Sequence, residues 1–233
     1  MQLPYFFEPL LPAASALFTV SEETSKHCAQ VLRMHAQEKI LLTNGEGLLS
    51  EATIVTPDKK RMVVQTSIAE KKQRAAVENV LAISFVKNPS RIEWLLEKIT
   101  EIGITEIIPL ICERTEKIIY KQERWNSILI SAMLQSKQVY KPILREPTKL
   151  NQLVAEDFEG TSFIAHCMED TLPIKSYLPL SARRRVLIGP EGDFTEKEVE
   201  QAVTKGFLAL DLGTNRLRTE TAGLVAITLL QNH

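Results

Sequence analysis

Two stretches decide how this sequence reads: Val186 to Phe194 (VLIGPEGDF) and Asp211 to Gly223 (DLGTNRLRTETAG). The first is a short apolar run that stops at Gly189-Pro190-Glu191-Gly192, which predicts a buried strand feeding a turn whose backbone can approach a ligand closely. Thr195 and Glu198 stand at capping-box spacing, so a helix starts directly after the turn, and Gly206 sits where a glycine would end it. The second stretch repeats this order. Phe207 to Leu212 reads as a strand, Gly213 to Arg218 as a turn, and Thr219 or Thr221 as the cap of the apolar helix that follows. Two consecutive strand-loop-helix units place both loops at the carboxyl edge of one parallel sheet, where open α/β sheets bind their ligands.

Alone, a Gly-Pro-x-Gly turn is structural punctuation, and this one has neither the Lys-Ser/Thr of a P-loop nor the three-glycine dinucleotide spacing. The second loop changes its meaning, because Arg216, Arg218 and Glu220 concentrate charge where a mere connector needs none. Taken together, Gly189-Pro190-Glu191-Gly192-Asp193-Phe194 and Leu212-Gly213-Thr214-Asn215-Arg216-Leu217-Arg218-Thr219-Glu220-Thr221-Ala222 closely resemble the paired signatures of the bacterial small-subunit (16S) ribosomal RNA uridine N3-methyltransferases, a family of the knotted SPOUT class. Asp193 replaces the second glycine of the family's pair, and Arg216 replaces an apolar residue. The resemblance extends to Lys98-x-Thr100-Glu101-Ile102-Gly103, Arg114, Gln135-Ser136 and Pro142. Across Ser131 to Gln138, two acidic positions and an arginine of the family pattern are missing.

Composition sets the bounds. At 233 residues, 44% hydrophobic and 24% charged, the chain is an ordinary globular one with room for two small domains. A net charge of −1 excludes a non-specific nucleic-acid coat, so any RNA contact must come from local basic patches. Cys28, Cys112 and Cys167 are odd in number and widely spaced, which argues against a disulfide framework or a zinc site; His27 and His35 have no partner at ligand spacing, and no metal is expected. There is no apolar run of membrane-spanning length and no secretory pattern, so a cytoplasmic protein is expected.

In chain order, Tyr5-Phe6-Phe7, Lys39 to Asn44, Leu48 to Thr56 and Arg61 to Glu70 read as strands, with one helix from Ser21 to Arg33, a grouping that suggests a small barrel. Lys71-Lys72-Gln73-Arg74 then separates this part from a β-α-β grammar. Val80 to Val86 is a continuously apolar strand, Asn88-Pro89 starts a helix that Gly103 ends, and Ile104 to Ile111 is the next strand. A striped helix around Trp125 and a strand from Ser162 to His166 continue the alternation. Lys59-Lys60-Arg61 is either a solvated turn or a phosphate contact.

The resemblance implies an α/β fold: a PUA-like or OB-like RNA-binding β-barrel over residues 1-72, then a SPOUT methyltransferase domain over 73-233 with a parallel sheet and a deep trefoil knot. It implies S-adenosyl-L-methionine as cofactor, held by Ile188, Gly189, Pro190, Glu191, Gly192, Leu212, Gly213, Asn215, Leu217 and Thr219, with Arg218 and Glu220 as catalytic residues. Arg218 suits that role because a guanidinium binds carbonyl oxygens bidentately and stays charged. RNA is expected at His27, Arg33, Lys59, Lys60, Arg61, Arg114, Gln135 and Ser136. The final helix, Ala222 to Leu230, is apolar nearly all round and points to burial in a homodimer or within one chain. Two other readings stay open: a SPOUT enzyme methylating a ribose 2′-oxygen or another base, and a catalytically idle RNA-binding assembly factor.

Overall fold

The structure, a computed structural model, describes residues 3-116, 120-168 and 170-233. The chain divides into two compact units: Met1–Arg74 with Ile130–Lys141, and Ala75–Leu129 with Pro142–His233. In the first unit, β1 (Tyr5–Phe7), β2 (Leu17–Thr19), β3 (Lys39–Thr43), β4 (Leu48–Thr56) and β5 (Val63–Thr66) form a sheet in the order β1-β3-β4-β5-β2, and β6 (Glu70–Lys71) pairs with β4. Alternate strand residues, Ile40, Leu42, Ile54 and Val64 among them, bury a small core with Phe6, Cys28 and Met62. Ser21 caps the helix α1 (Glu22–Lys26), as expected, but the backbone then widens into a π turn over His27–Val31.

A cut at 72/73 leaves residues 130-141 with the second domain, whereas their contacts lie in the first unit. Gly47 donates its N–H to Val139 O (2.8 Å), Lys141 donates to Gly45 O (2.8 Å) and the Tyr140 hydroxyl donates to Lys72 O (2.8 Å). The backbone donors and acceptors of that hairpin turn need partners, and a segment remote in sequence supplies them.

The second unit is a parallel sheet. Its strands β7 (Glu78–Ile83), β8 (Glu106–Ile111), β9 (Ile143–Leu144), β10 (Thr148–Lys149), β11 (Thr161–Ala165), β12 (Arg183–Ile188) and β13 (Leu208–Leu210) run β10-β8-β7-β12-β11-β13, with β9 on β8. Each of its ladders is parallel. The strands read as apolar runs because both faces are covered. Leu81, Ile83, Ile107, Phe163, Val186 and Ile188 point to one face, under α2 (Pro89–Ile102), α3 (Gln122–Gln135) and α6 (Thr219–Gln231). Val80, Ala82, Ile108, Leu110, Ile164 and Leu187 point to the other, under α4 (Leu150–Leu153) and α5 (Glu196–Thr204).

Helix boundaries follow local chemistry. Asn88 caps α2 with Pro89 at its first turn, and Gly103 (φ 100°) ends it. Thr195 and Glu198 form the full capping box of α5, with Gly206 (φ 87°) just beyond its end. The start of α6 differs from expectation. Arg218 is its N-cap, extended at φ −71°, ψ 155°, with no side-chain cap, and Thr219 is already helical. Gly223 explains why α6 can lie so close to the sheet, since a Cβ there would be 2.8 Å from Ile83 Cδ1.

Candidate active site

In the strand order β12-β11-β13, the loops after all three strands leave the same carboxyl edge. They enclose a cavity of about 860 Å³, a size suited to a cofactor. Ile188, Gly189, Pro190 and Glu191 form one wall and Leu212, Gly213, Asn215, Leu217, Arg218 and Thr219 another. Gly213 takes φ +114°, a conformation that side-chain-bearing residues rarely adopt, and beyond its chain neighbours no atom of the described residues lies within 4 Å of where its Cβ would be. The space above that backbone is therefore open. Asp211 steadies the turn by accepting the Gly213 N–H at 2.8 Å.

The first loop is pinned at several points. Asp193 adopts φ 60°, so the left-handed conformation that glycine favours is retained by an aspartate. Its carboxylate accepts the Cys167 N–H (2.8 Å) and the Phe194 N–H (2.8 Å), tying this loop to the one after β11. Arg114, which is exposed, donates to Gly192 O at 2.7 Å. Gly192 accordingly faces a smaller cleft of about 130 Å³ shared with Lys87, Arg114 and Glu116, and it does not line the large cavity.

Glu220 lies just behind the second loop and is 6% exposed. Its partner is Arg91, whose Nε is 3.6 Å from Glu220 Oε1 and whose Nη1 is 3.1 Å from Glu191 Oε1, so one guanidinium bridges both signature loops. The other carboxylate oxygen of Glu220 is buried without a hydrogen-bond partner among the described residues. Arg218, by contrast, is exposed and makes no ion pair among the described residues, so its donors are open to a ligand.

Sequence reasoning missed Arg91 and the loop of His166, Cys167, Met168 and Thr171, all of which line the cavity. The signal for both was strand order, since β7 and β11 flank β12 in the sheet and their carboxyl ends must lie beside its loop. Burial lowers the pKa of His166, which favours the neutral ring; Nδ1 accepts from Met168 N (3.3 Å), leaving the proton on a buried, unpartnered Nε2. Burial, and then the Asp193 carboxylate, push the Cys167 thiol up, while Arg216 pulls the other way; a poised thiolate nucleophile is not what this environment makes.

The remaining expected residues sit in the first unit. His27 is exposed, its ring edge-on to Phe6 at 5.5 Å; Arg33 is exposed at φ 54°; Lys59, Lys60 and Arg61 are exposed on a turn where Asp58 accepts the Lys60 and Arg61 N–H groups, each at 2.7 Å. Gln135 ends α3 exposed, and the Ser136 hydroxyl donates to Ala132 O (2.7 Å). Among the described residues no group of His, Cys, Asp and Glu could hold a metal ion, and no helix is long and apolar enough to cross a membrane.

Known proteins share this fold. A crystal structure of a "probable rRNA-methyltransferase" from Porphyromonas gingivalis is 34% identical, with TM-score 0.93 over 99% of this chain and 98% of that one. The ribosomal RNA small subunit methyltransferase E of Neisseria gonorrhoeae, solved bound to S-adenosyl methionine, is 28% identical with TM-score 0.88, over 99% and 98%. A protein of the same designation from Buchnera aphidicola of Schizaphis graminum is 26% identical over 239 residues, 99% of this chain and 96% of the relative. Residues 20–67 match an RNA methyltransferase PUA domain, so the first unit carries a PUA-like domain. Because residues 73–231, most of the chain including both signature loops, match the RNA methyltransferase domain, the chain belongs to the RNA methyltransferase family.

Proposed function

We propose that this chain is an S-adenosylmethionine-dependent methyltransferase acting on N3 of a uridine in small-subunit ribosomal RNA. The observation that carries this reading is the meeting of both signature loops on one cavity at the carboxyl edge of the sheet. The residues present suit the cofactor. Open backbone at Gly213 leaves main-chain groups accessible to an adenine edge, Ile188, Leu212 and Leu217 supply apolar walls, and the His166 Nε2 proton has no partner among the described residues. When bound, S-adenosylmethionine supplies an electrophilic methyl on a cationic sulfonium.

The protein's own contribution is alignment and electrostatics. Uridine N3 is a weakly acidic imide, and loss of its proton moves charge onto the flanking carbonyl oxygens. Arg218, an exposed cation on the cavity wall without an ion-pair partner among the described residues, stabilises that charge as it develops. Arg91 holds Glu191 and Glu220 in register, so the two loops keep a common geometry.

We further assign Ile188, Gly189, Pro190, Glu191, Leu212, Gly213, Asn215, Leu217 and Thr219 on the cavity wall to cofactor binding, and His27, Arg33, Lys59, Lys60, Arg61, Arg114, Gln135 and Ser136 to RNA contact. The catalytic domain would be a homodimer with a trefoil knot: after edge strand β13 the chain returns to pack α6 against α2, β7 and β12 at the sheet's centre, and Leu224 and Leu229 on α6 are only partly buried. A cytoplasmic enzyme acting on assembling or assembled small subunits fits these assignments. The test is to incubate the purified protein with S-adenosylmethionine and small subunits from a strain lacking the gene, then analyse nucleosides by mass spectrometry. 3-Methyluridine is expected; a 2′-O-methyl nucleoside would redirect the reading to another target, and no methylation despite cofactor binding would leave an idle assembly factor.

A further inference from the structure

Three carboxylates line the large cavity: Glu191 is paired with the Arg91 guanidinium, while Asp211 and Asp193 accept only main-chain N–H groups, Asp211 one from Gly213 in its own turn. Asp193 is the more firmly fixed of these two. Both its oxygens are oriented by main-chain donors, Cys167 N and Phe194 N at 2.8 Å each, yet no cation lies within ion-pair distance of it among the described residues. The carboxylate is half-buried and carries an uncompensated negative charge on the cavity wall. It also stands at φ 60°, where a side chain costs backbone energy that glycine would avoid. An aspartate kept at a strained position, fixed in direction and left without a counter-charge, is arranged to act on something that enters the cavity. The field is felt locally, since Asp193 is among the causes raising the Cys167 thiol pKa, with Arg216 the opposing charge on the facing loop.

We propose that Asp193 is a specificity-determining residue that makes the cavity prefer the cationic methyl donor over its product, S-adenosylhomocysteine, which differs by the loss of the methyl and of the sulfonium's positive charge. The proposal rests on the assignment of this cavity to S-adenosylmethionine. A fixed negative charge in a partly desolvated site lowers the free energy of the cation but not of the neutral thioether, so it biases occupancy toward fresh donor over product without contacting the RNA.

The experiment is calorimetric titration of each ligand into wild type, D193N and D193G. D193N keeps the shape and one acceptor for the main-chain donors; D193G suits the left-handed backbone, so both variants should fold. Expected is a drop of roughly five- to tenfold in the ratio of S-adenosylmethionine to S-adenosylhomocysteine affinity in both variants, shrinking as salt rises. If both ligands weaken equally, Asp193 only shapes the loop and the proposal falls; an unchanged ratio with unchanged affinities overturns it as well. Failure of wild type to bind either ligand would instead remove the assignment of the cavity itself. Growth of the ratio in D193N would reverse the sign of the effect and also refute the proposal.

Discussion

At the amino-terminal edge of the parallel sheet the arginines are packed or ion-paired and two of them are buried, whereas at the carboxyl edge Arg216 and Arg218 stand exposed and without an ion pair among the described residues. Arg185 is 3% exposed and lies between the rings of Phe158 and Phe207, at 4.4 and 4.7 Å. Arg184 donates to Ser181 O (2.8 Å) and to Leu230 O. Arg145 pairs with Glu156 at 2.7 Å and approaches Glu106, which Arg183 also reaches at 3.7 Å. Across the sheet, Arg216 and Arg218 are exposed with no ion pair among the described residues, and Arg91 is the bridging exception. The difference separates two uses of one residue type. A buried cation must be satisfied by the protein or it destabilises the fold, while a cation with the role proposed for Arg218 must keep its donors available for charge that appears only during reaction.

The largest effect should come from closing the open backbone of the carboxyl edge. Gly213→Val forces a β-branched residue to φ +114°, strain of about 1–3 kcal/mol, and fills space the ligand needs. Calorimetry should show S-adenosylmethionine affinity lost by about a hundredfold or more, with turnover lost alongside; retained binding would show that the backbone there is not a contact. Next, Arg218→Ala should cut single-turnover methyl transfer about a hundredfold while leaving cofactor affinity within roughly twofold, because the lost donor acts on the transition state. If affinity and rate fall together, Arg218 is a loop support and the two edges are less distinct than they look.

Arg185→Ala tests the opposite edge. Removing a buried, ring-stacked side chain should cost about 2–4 kcal/mol in denaturant unfolding, with kcat of the folded enzyme unchanged. The smallest effect concerns pH. Burial lowers the His166 pKa, so below the ordinary histidine range near 6.5 the unfolded chain binds a proton that the folded chain resists, and stability falls as pH drops from there toward the lowered value; above neutrality the group contributes nothing. His166→Gln should flatten that acid limb in thermal melts recorded from pH 7.5 to 5.

Much of this was legible in the sequence because it is local chemistry. The Thr195/Glu198 capping box, the Asn88-Pro89 start and Gly103 end of α2, and the apolar runs of β7, β8 and β12 are set by residues within a few positions of one another. The cap of α6 was misread for the same reason. Threonines at 219 and 221 look like caps, but the turn carries the extended backbone only as far as Arg218.

By itself the sequence determined the alternation of strand and helix, the two loops, and the residue types that face the cavity, since these depend on periodicity, turn chemistry and spacing along the chain. Tertiary structure alone decided that β7 and β11 flank β12, and so that Arg91, His166 and Cys167 join the site. It also decided that residues 130-141 complete the first unit, that Glu220 is buried against Arg91, and that Asp193 faces the cavity without a cation among the described residues. Strand order and side-chain pairing are relations between residues tens of positions apart, and no pattern within a window of sequence carries the energy that selects them.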